Sequence, residues 1–369
     1  MRNELTLYGW HLSYFTGKVL CYLRYKRISF VDRPVDMLTL LWKIRKHTGE
    51  VVMPVLVTAQ GEWLQDSSVI IERMEALYPD APVVPATPVQ NFAASLIEAW
   101  GDEWWIPIAM HTRWSYPENY ALFERDAGRS LLPHCPAFLQ RRAAAKVART
   151  LRGYLHRVGV RCGQFAVMDA WTAGMLDLLD AHFAVQPFLF GAVPTIGDFG
   201  LVGTMYGHLG RDPWPARELI GPRKHLQAWI ARMANPGEPG GGGLLSDDRI
   251  APTLAPVFRS IFSEFLPMLE AINGQVREAS TELPKGKALP RLLQEIEVPM
   301  GDGRFRRIAI PYTLWMAQRT LDVYQALGPD QKLQVREWLT SVGGERFLEL
   351  DIARLRRSGL RVVPEKVSG

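Results

Sequence analysis

Cysteine is scarce, with three in 369 residues, at positions 21, 135 and 162. Three thiols so far apart, and odd in number, exclude a disulfide scaffold and fit a reducing compartment. There is no C-x-x-C pair, which argues against a thiol–disulfide reductase. The eight histidines are scattered without metal-ligand spacing, so no metal is expected. No apolar run approaches the roughly 20 residues needed to cross a bilayer. The opening MRNELTLYGW lacks the apolar core and cleavage site of a signal peptide, which makes a cytoplasmic location the expectation. G-x-S-x-G, P-loop and dinucleotide fingerprints are also missing. One-signed charge is lacking too: 43 Lys and Arg face 38 Asp and Glu, for a net +5. The densest basic runs, 304–307 and 354–361, read as solvated surface, so nucleic acid is not an expected partner.

What is present is an ordinary globular composition, 47% hydrophobic and 22% charged, over a length that allows two or three domains. Leu5 to Trp10 reads as a strand. Ser13, Tyr14 and Thr16 then precede KVLCYLRYKRI, whose Val19, Leu20, Leu23 and Ile28 fall near helical spacing. Thr16 can cap that helix, and Gly17 permits close backbone approach. A strand at 28–34 and a helix at 38–46 follow. Strands at 55–58 and 63–64 flank the Gln60-Gly61 turn, and a helix runs from Ser67 to Leu77. The order strand, helix, strand, helix, strand, strand, helix is that of a small α/β domain.

Pro79, Pro82, Pro85 and Pro88 interrupt the chain within ten residues and read as a linker. Helices are then expected at about 89–112, 137–157, 167–186, 195–209 and 222–234. Thr195, three residues ahead of Asp198 and just before an apolar run, predicts reciprocal capping at a buried helix end. Asn235 to Gly243 is a second break. Beyond it come a helix near 252–277 and a hairpin of 295–300 with 305–310 around Gly301-Asp302-Gly303. Helices at 313–327, 329–341 and 344–356 complete the chain. Three domains are expected: 1–80, 89–235 and 244–369.

Several of these segments resemble the glutathione transferase superfamily. LYGWHLSYFTGKV is similar to the first strand and helix start of serine-type members, with Ser13 six residues after Leu7 and five before Lys18. Met53-Pro54-Val55-Leu56 resembles the superfamily's cis-proline loop. Gln65-Asp66-Ser67-Ser68-Val69-Ile70 is similar to its acidic-Ser pair, and GAVPTIGDFGL matches its buried-helix capping motif. The resemblance covers about residues 5–235. GDEWWIPIAMHTRW at 101–114 looks like a subgroup of long bacterial transferase-like proteins with a C-terminal extension. The fold implied is a thioredoxin-like α/β domain, then an all-helical domain, then a mostly helical extension.

The resemblance also implies a chemistry. A free thiol has a pKa of about 8.5, and lowering it by ~2 units requires about 2.7 kcal/mol of preferential stabilisation of the anion. A hydroxyl at a helix N-terminus suits that task. Ser13 ranks first on spacing, and Tyr14 is the rival. Thr16, Met53, Pro54, Asp66 and Ser67 are the implied glutathione contacts. Met53 would pair through its backbone with the cysteinyl unit, and Asp66 and Ser67 would meet the γ-glutamyl end. Arg45, Lys46 and His47 are candidates for the glycyl carboxylate. Trp104, His111, Arg113 and Trp114 are candidates for a hydrophobic electrophile's pocket, although each alone fits an aromatic core with Arg113 in an ion pair. The implied partners are glutathione as co-substrate, a hydrophobic small molecule and a second copy in a homodimer. The alternatives are a binding or structural module without turnover, and a glutathione-dependent lyase, isomerase or peroxidase.

Overall fold

The computed structural model describes residues 4–237 and 241–365. Met1 to Asn3, in the opening stretch, and Glu238 to Gly240, within the second break, lie outside the described residues. In chain order the elements are β1 (Leu5–Gly9), α1 (Tyr14–Tyr25), β2 (Phe30–Pro34), α2 (Arg45–Thr48), β3 (Val55–Val57), β4 (Trp63–Gln65) and α3 (Ser67–Leu77). Then follow α4 (Pro88–Glu103), α5 (Ile106–Trp114), α6 (Asn119–Leu131), α7 (Ala137–Arg152), α8 (Phe165–Phe183), α9 (Ile196–Thr204), α10 (Pro213–Pro215) and α11 (Lys224–Ala234). The last part holds α12 (Ala255–Ser260), α13 (Leu266–Thr281), β5 (Glu295–Met300), β6 (Gly303–Ile308), α14 (Tyr312–Gln325), α15 (Pro329–Val342), β7 (Leu355–Ser358) and β8 (Arg361–Pro364). Among the described residues, no helix is long and apolar enough to cross a membrane.

The first compact unit comprises residues 1–83, 108–155 and 199–241. Its four-stranded sheet has the order β2-β1-β3-β4, with β1 parallel to β2 and β3 antiparallel to both its neighbours. This is the thioredoxin-like arrangement. Apolar residues from the sheet end (Tyr8, Trp10, Leu12, Val55) meet Phe123, Ala127 and Leu131 of α6 and Ala144 and Ala148 of α7 in one core. The helix α6 was not anticipated. Its signal was nevertheless present, because Asn119, Phe123, Ala127 and Leu131 recur every four residues and all are buried. Asn119 anchors the start by donating to the Thr112 carbonyl (2.7 Å) and accepting from the Trp214 amide (2.9 Å).

The second unit comprises residues 84–107, 156–198 and 242–369. Here α14 and α15 lie along α4. Phe92 sits edge-on to Tyr324, Trp338 and Phe347, while Trp100, Trp105 and Trp171 form a second aromatic cluster. The continuous helix expected at 89–112 is broken at Trp104-Trp105. Pro107 has no N–H for the Glu103 carbonyl, and Arg307 donates to that oxygen instead (3.2 Å). The N-terminus of α4 is capped from far away in sequence, the Asp248 carboxylate accepting from the Val89 (2.7 Å) and Gln90 (2.9 Å) amides. Glu264 takes the Trp171 indole N–H (2.6 Å), the Ser260 hydroxyl (2.8 Å) and the Gly301 amide (2.9 Å), which fixes the β5–β6 turn. Burial raises the Glu264 pKa, and these three donors oppose the rise.

Two further expectations need correction. At the start of α9, Asp198 does accept from the Thr195 amide (2.9 Å), but the Thr195 hydroxyl donates to Asp198 (3.1 Å) instead of capping the first turn. The second carboxylate oxygen reaches the Leu189 amide (3.0 Å), so one aspartate holds both the helix end and the preceding loop. The helix expected at 344–356 is a 3-10 turn at Glu345–Glu349 followed by the β7–β8 hairpin. Gly343 closes α15 in the left-handed conformation (φ 73°), and Gly359 (φ 62°) makes the hairpin turn. The β5–β6 hairpin forms from the two β-rich runs, but its second strand begins at Gly303, two residues earlier than expected.

Candidate active site

Strand register brings three separated segments to one end of the sheet. Tyr8 of β1 and Gln65 of β4 are both paired with Val55, the first residue of β3. The chain leaving β1 toward Ser13, the chain entering β3 through Met53-Pro54, and the chain leaving β4 into α3 therefore share that end. The Met53–Pro54 peptide bond is cis.

Ser13 is the N-cap of α1, and its hydroxyl accepts from the Thr16 amide at 3.4 Å. The turn before it is closed by the Ser13 amide donating to the Trp10 carbonyl (2.8 Å). Ser13 is half-buried, whereas Tyr14 is only 7% exposed. The Tyr14 ring packs on Phe15 (4.7 Å) and, edge-on, on His208 (6.1 Å). Thr16, expected to cap this helix, instead lies inside it, buried against Gly9, and among the described residues its hydroxyl has no hydrogen-bond partner. A Cβ on Gly9 would stand 2.4 Å from Thr16 Cγ2, so only glycine fits there. Gly207 permits a similar approach on the other side, where a Cβ would meet the Ser13 carbonyl at 3.1 Å.

Asp66 is the N-cap of α3, at a φ of 86° that non-glycine residues rarely adopt. One carboxylate oxygen accepts from the Ser68 (3.0 Å) and Val69 (3.2 Å) amides. Ser67 is buried beside it. Fully buried Lys18 donates from Nζ to the Ser68 hydroxyl (3.0 Å), tying α1 to the start of α3. Gln65 Nε2 is a buried donor without a partner among the described residues. Cys21 takes no part, since burial pushes its thiol up to about 12 against a small opposing effect of Arg24.

Arg45, Lys46 and His47 lie exposed on α2. The His47 ring stacks on Trp63 at 4.1 Å, Trp63 stacks on Tyr8, and Lys43 donates to the Tyr8 hydroxyl (2.7 Å). Sequence reading missed this stack, whose members come from β1, β4, α2 and the turn just before α2 and not from one local stretch.

The four residues considered for the electrophile are all buried. Trp104 belongs to the second unit, where it meets Trp171 and Phe265 edge-on. His111 bonds the Ser115 hydroxyl through Nδ1 (2.8 Å). Trp114 packs on Phe123, with Arg152 over its ring. Arg113 forms a bidentate pair with Asp212, Nε to Oδ2 at 2.8 Å and Nη2 to Oδ1 at 3.1 Å. It also donates to the Leu12 carbonyl (2.7 Å) and to the Gly207 carbonyl, which pins the Ser13 turn from behind. Burial lowers the Arg113 pKa and raises that of Asp212, and in each case the partner opposes the shift. Burial and the Arg113 charge together keep His208 neutral, with Nδ1–H donated to the Ala109 carbonyl (2.9 Å).

Residues 7–82 match the family described as glutathione S-transferase, N-terminal domain. No curated protein matches the sequence significantly. Solved structures similar to the chain include a glutathione S-transferase from Rhodospirillum rubrum, 17% identical, covering 67% of this chain and 96% of its own, at a TM-score of 0.40. The beta-etherase LigF from Sphingobium is 18% identical, covering 64% and 96%, at 0.42. A Methylobacillus flagellatus glutathione S-transferase with glutathione bound is 19% identical, covering 62% and 93%, at 0.37. Over residues 7–82 the chain therefore carries a glutathione S-transferase N-terminal domain.

Proposed function

We propose that the protein is a glutathione transferase that activates the tripeptide's thiol at Ser13. The observation that carries this reading is the meeting of Ser13, the cis Met53–Pro54 bond and Asp66-Ser67 at one end of the sheet. Helices α1 and α3 both begin there, so their dipoles favour anionic groups. Ser67 suits the γ-glutamyl carboxylate, and Asp66 suits its ammonium. The Met53 backbone suits the cysteinyl unit. Thr16 lies behind this surface as a buried support.

Ser13 is favoured over Tyr14 because it is half-buried at the helix start, while the Tyr14 ring is packed against Phe15 and His208. The Ser13 hydroxyl donates to the sulfur, and the thiol proton leaves to solvent. The thiolate then attacks an electrophilic carbon of a hydrophobic second substrate. A C–S bond forms as the leaving group departs with its bonding pair. A homodimer belongs to the same reading. It would form without α4, in which every residue except Asn91 is buried within the chain.

The test is conjugation of glutathione to 1-chloro-2,4-dinitrobenzene. Ser13→Ala is expected to lose about 10²-fold in turnover, the equivalent of ~2 pKa units of thiol activation, while Tyr14→Phe retains most of its rate. Full turnover in Ser13→Ala would remove that residue from the mechanism. A second reading, a fold that binds without turnover, draws on one feature: the chain continues well past the matched domain, through α12 to β8, and offers surface for a partner. Glutathione binding without conjugation would favour it.

A further inference from the structure

Beside the Ser13 turn lies a cavity of ≈ 220 Å³, lined by Trp10, His11, Leu12 and Pro34 from the sheet end, Asp126, Arg129 and Ser130 of α6, and Arg211. A dry apolar cavity of ~150 Å³ holds benzene, so this volume admits a substituted aromatic ring. Two walls are apolar and fixed. Trp10 is 7% exposed and its indole N–H donates to the Val35 carbonyl (2.8 Å), while Leu12 is held through its carbonyl by Arg113.

The polar wall is unbalanced in charge. Asp126 is its one carboxylate, and it is already shared by Arg125 (2.7 Å) and Arg211 (3.0 Å). Burial alone would raise the Asp126 pKa, but these two hydrogen bonds outweigh it and hold the carboxyl below its ordinary range. Asp126 is therefore an anion with its charge fully answered. Arg129 is exposed and, among the described residues, has no carboxylate or hydrogen-bond partner. Arg211 donates to Asp126 through one Nη, and among the described residues its buried Nε has no acceptor. His11 is turned by Asp32, its Nε2 lying 2.7 Å from Oδ2, which leaves Nδ1 for an occupant.

We propose that this cavity binds the acidic end of an aromatic ligand, with a carboxylate on Arg129 and Arg211 and the ring between Trp10 and Leu12. That the ligand is the second substrate rests on the transferase reading above. The binding itself does not.

The experiment is calorimetric titration of the full chain, without glutathione, using 3,5-dinitrobenzoate and its uncharged match 3,5-dinitrobenzamide. The acid is expected to bind at least about tenfold tighter than the amide, the advantage of a charge-assisted pair over a neutral contact. In Arg129→Gln the acid and amide should bind alike, and Arg129→Lys should restore part of the preference. Equal binding of acid and amide to the native protein, no binding of either, or an undiminished preference in Arg129→Gln would overturn the proposal. A preference for the acid in a protein that gives no heat with glutathione would leave this subsite standing and remove the transferase reading. Glutathione conjugation with no preference for the acid would do the reverse.

Discussion

Replacing Arg113 by Met tests how the Ser13 turn is held. The guanidinium is 5% exposed, and it answers the fully buried Asp212 carboxylate and the Leu12 and Gly207 carbonyls at once. Removing one partner of a buried ion pair typically costs ~3–5 kcal/mol, because the other charge stays desolvated. The two orphaned carbonyls add to this, though not independently. A loss of about 4 kcal/mol is expected, roughly a thousandfold in the folding equilibrium. The loss should also depend on pH. Asp212 already titrates above the ordinary carboxylate range, burial outweighing Arg113, and without Arg113 its pKa rises further. Stability tied to a raised carboxyl pKa is present in acid and lost as pH increases, so the gap between variant and native protein should narrow at lower pH. Urea unfolding of both proteins at pH 5.5 and pH 8 measures this. A penalty under ~1 kcal/mol at pH 8, or one no smaller at pH 5.5, would refute the account of Arg113 as the charge partner of Asp212.

Two other outcomes follow from the second unit. His182 is pushed down to about 4, first by burial, with hydrogen bonds to the Phe188 and Leu189 backbone opposing. Its Nε2–H faces the Phe188 carbonyl (3.3 Å), and Nδ1 accepts from the Thr253 hydroxyl (2.8 Å). A depressed histidine pKa favours the folded state above the unfolded value near 6.5 and ceases to do so as pH falls through 4. The native protein should therefore lose about 3 kcal/mol more than His182→Gln between pH 6.5 and pH 4, read as the shift in urea midpoint. Asp248→Ala strips the Val89 and Gln90 amides of their acceptor and should cost ~1–2 kcal/mol by the same assay. An unchanged midpoint would mean that water caps α4 equally well.

The N-terminal domain was legible because its signals are local. The hydroxyls before α1, the Met53-Pro54 step and the Asp66-Ser67 helix start each fall within a few residues. The β5–β6 hairpin was legible for the same reason. What escaped were features made by partners distant in sequence. Asp248 caps a helix 159 residues earlier, and Arg307 meets Glu103 across 204. Periodicity cannot announce such pairs. The break at Trp104-Trp105 could have been inferred from Pro107, and α6 from its four-residue repeat of Asn119, Phe123, Ala127 and Leu131. The helix at 344–356 failed because Gly343 and Gly359 impose turns that its apolar spacing does not reveal. The lining of the cavity beside Ser13 was beyond reach, since its walls come from the sheet end, α6 and Arg211.

The central claim is that the end of the sheet between Ser13, Met53 and Ser67 receives glutathione. Titrating the native protein and Ser67→Ala with glutathione in a calorimeter tests it most directly. Saturable heat in the native protein, weakened about tenfold or more in Ser67→Ala, is the predicted result. No heat at millimolar glutathione, or identical isotherms for the two proteins, would contradict it.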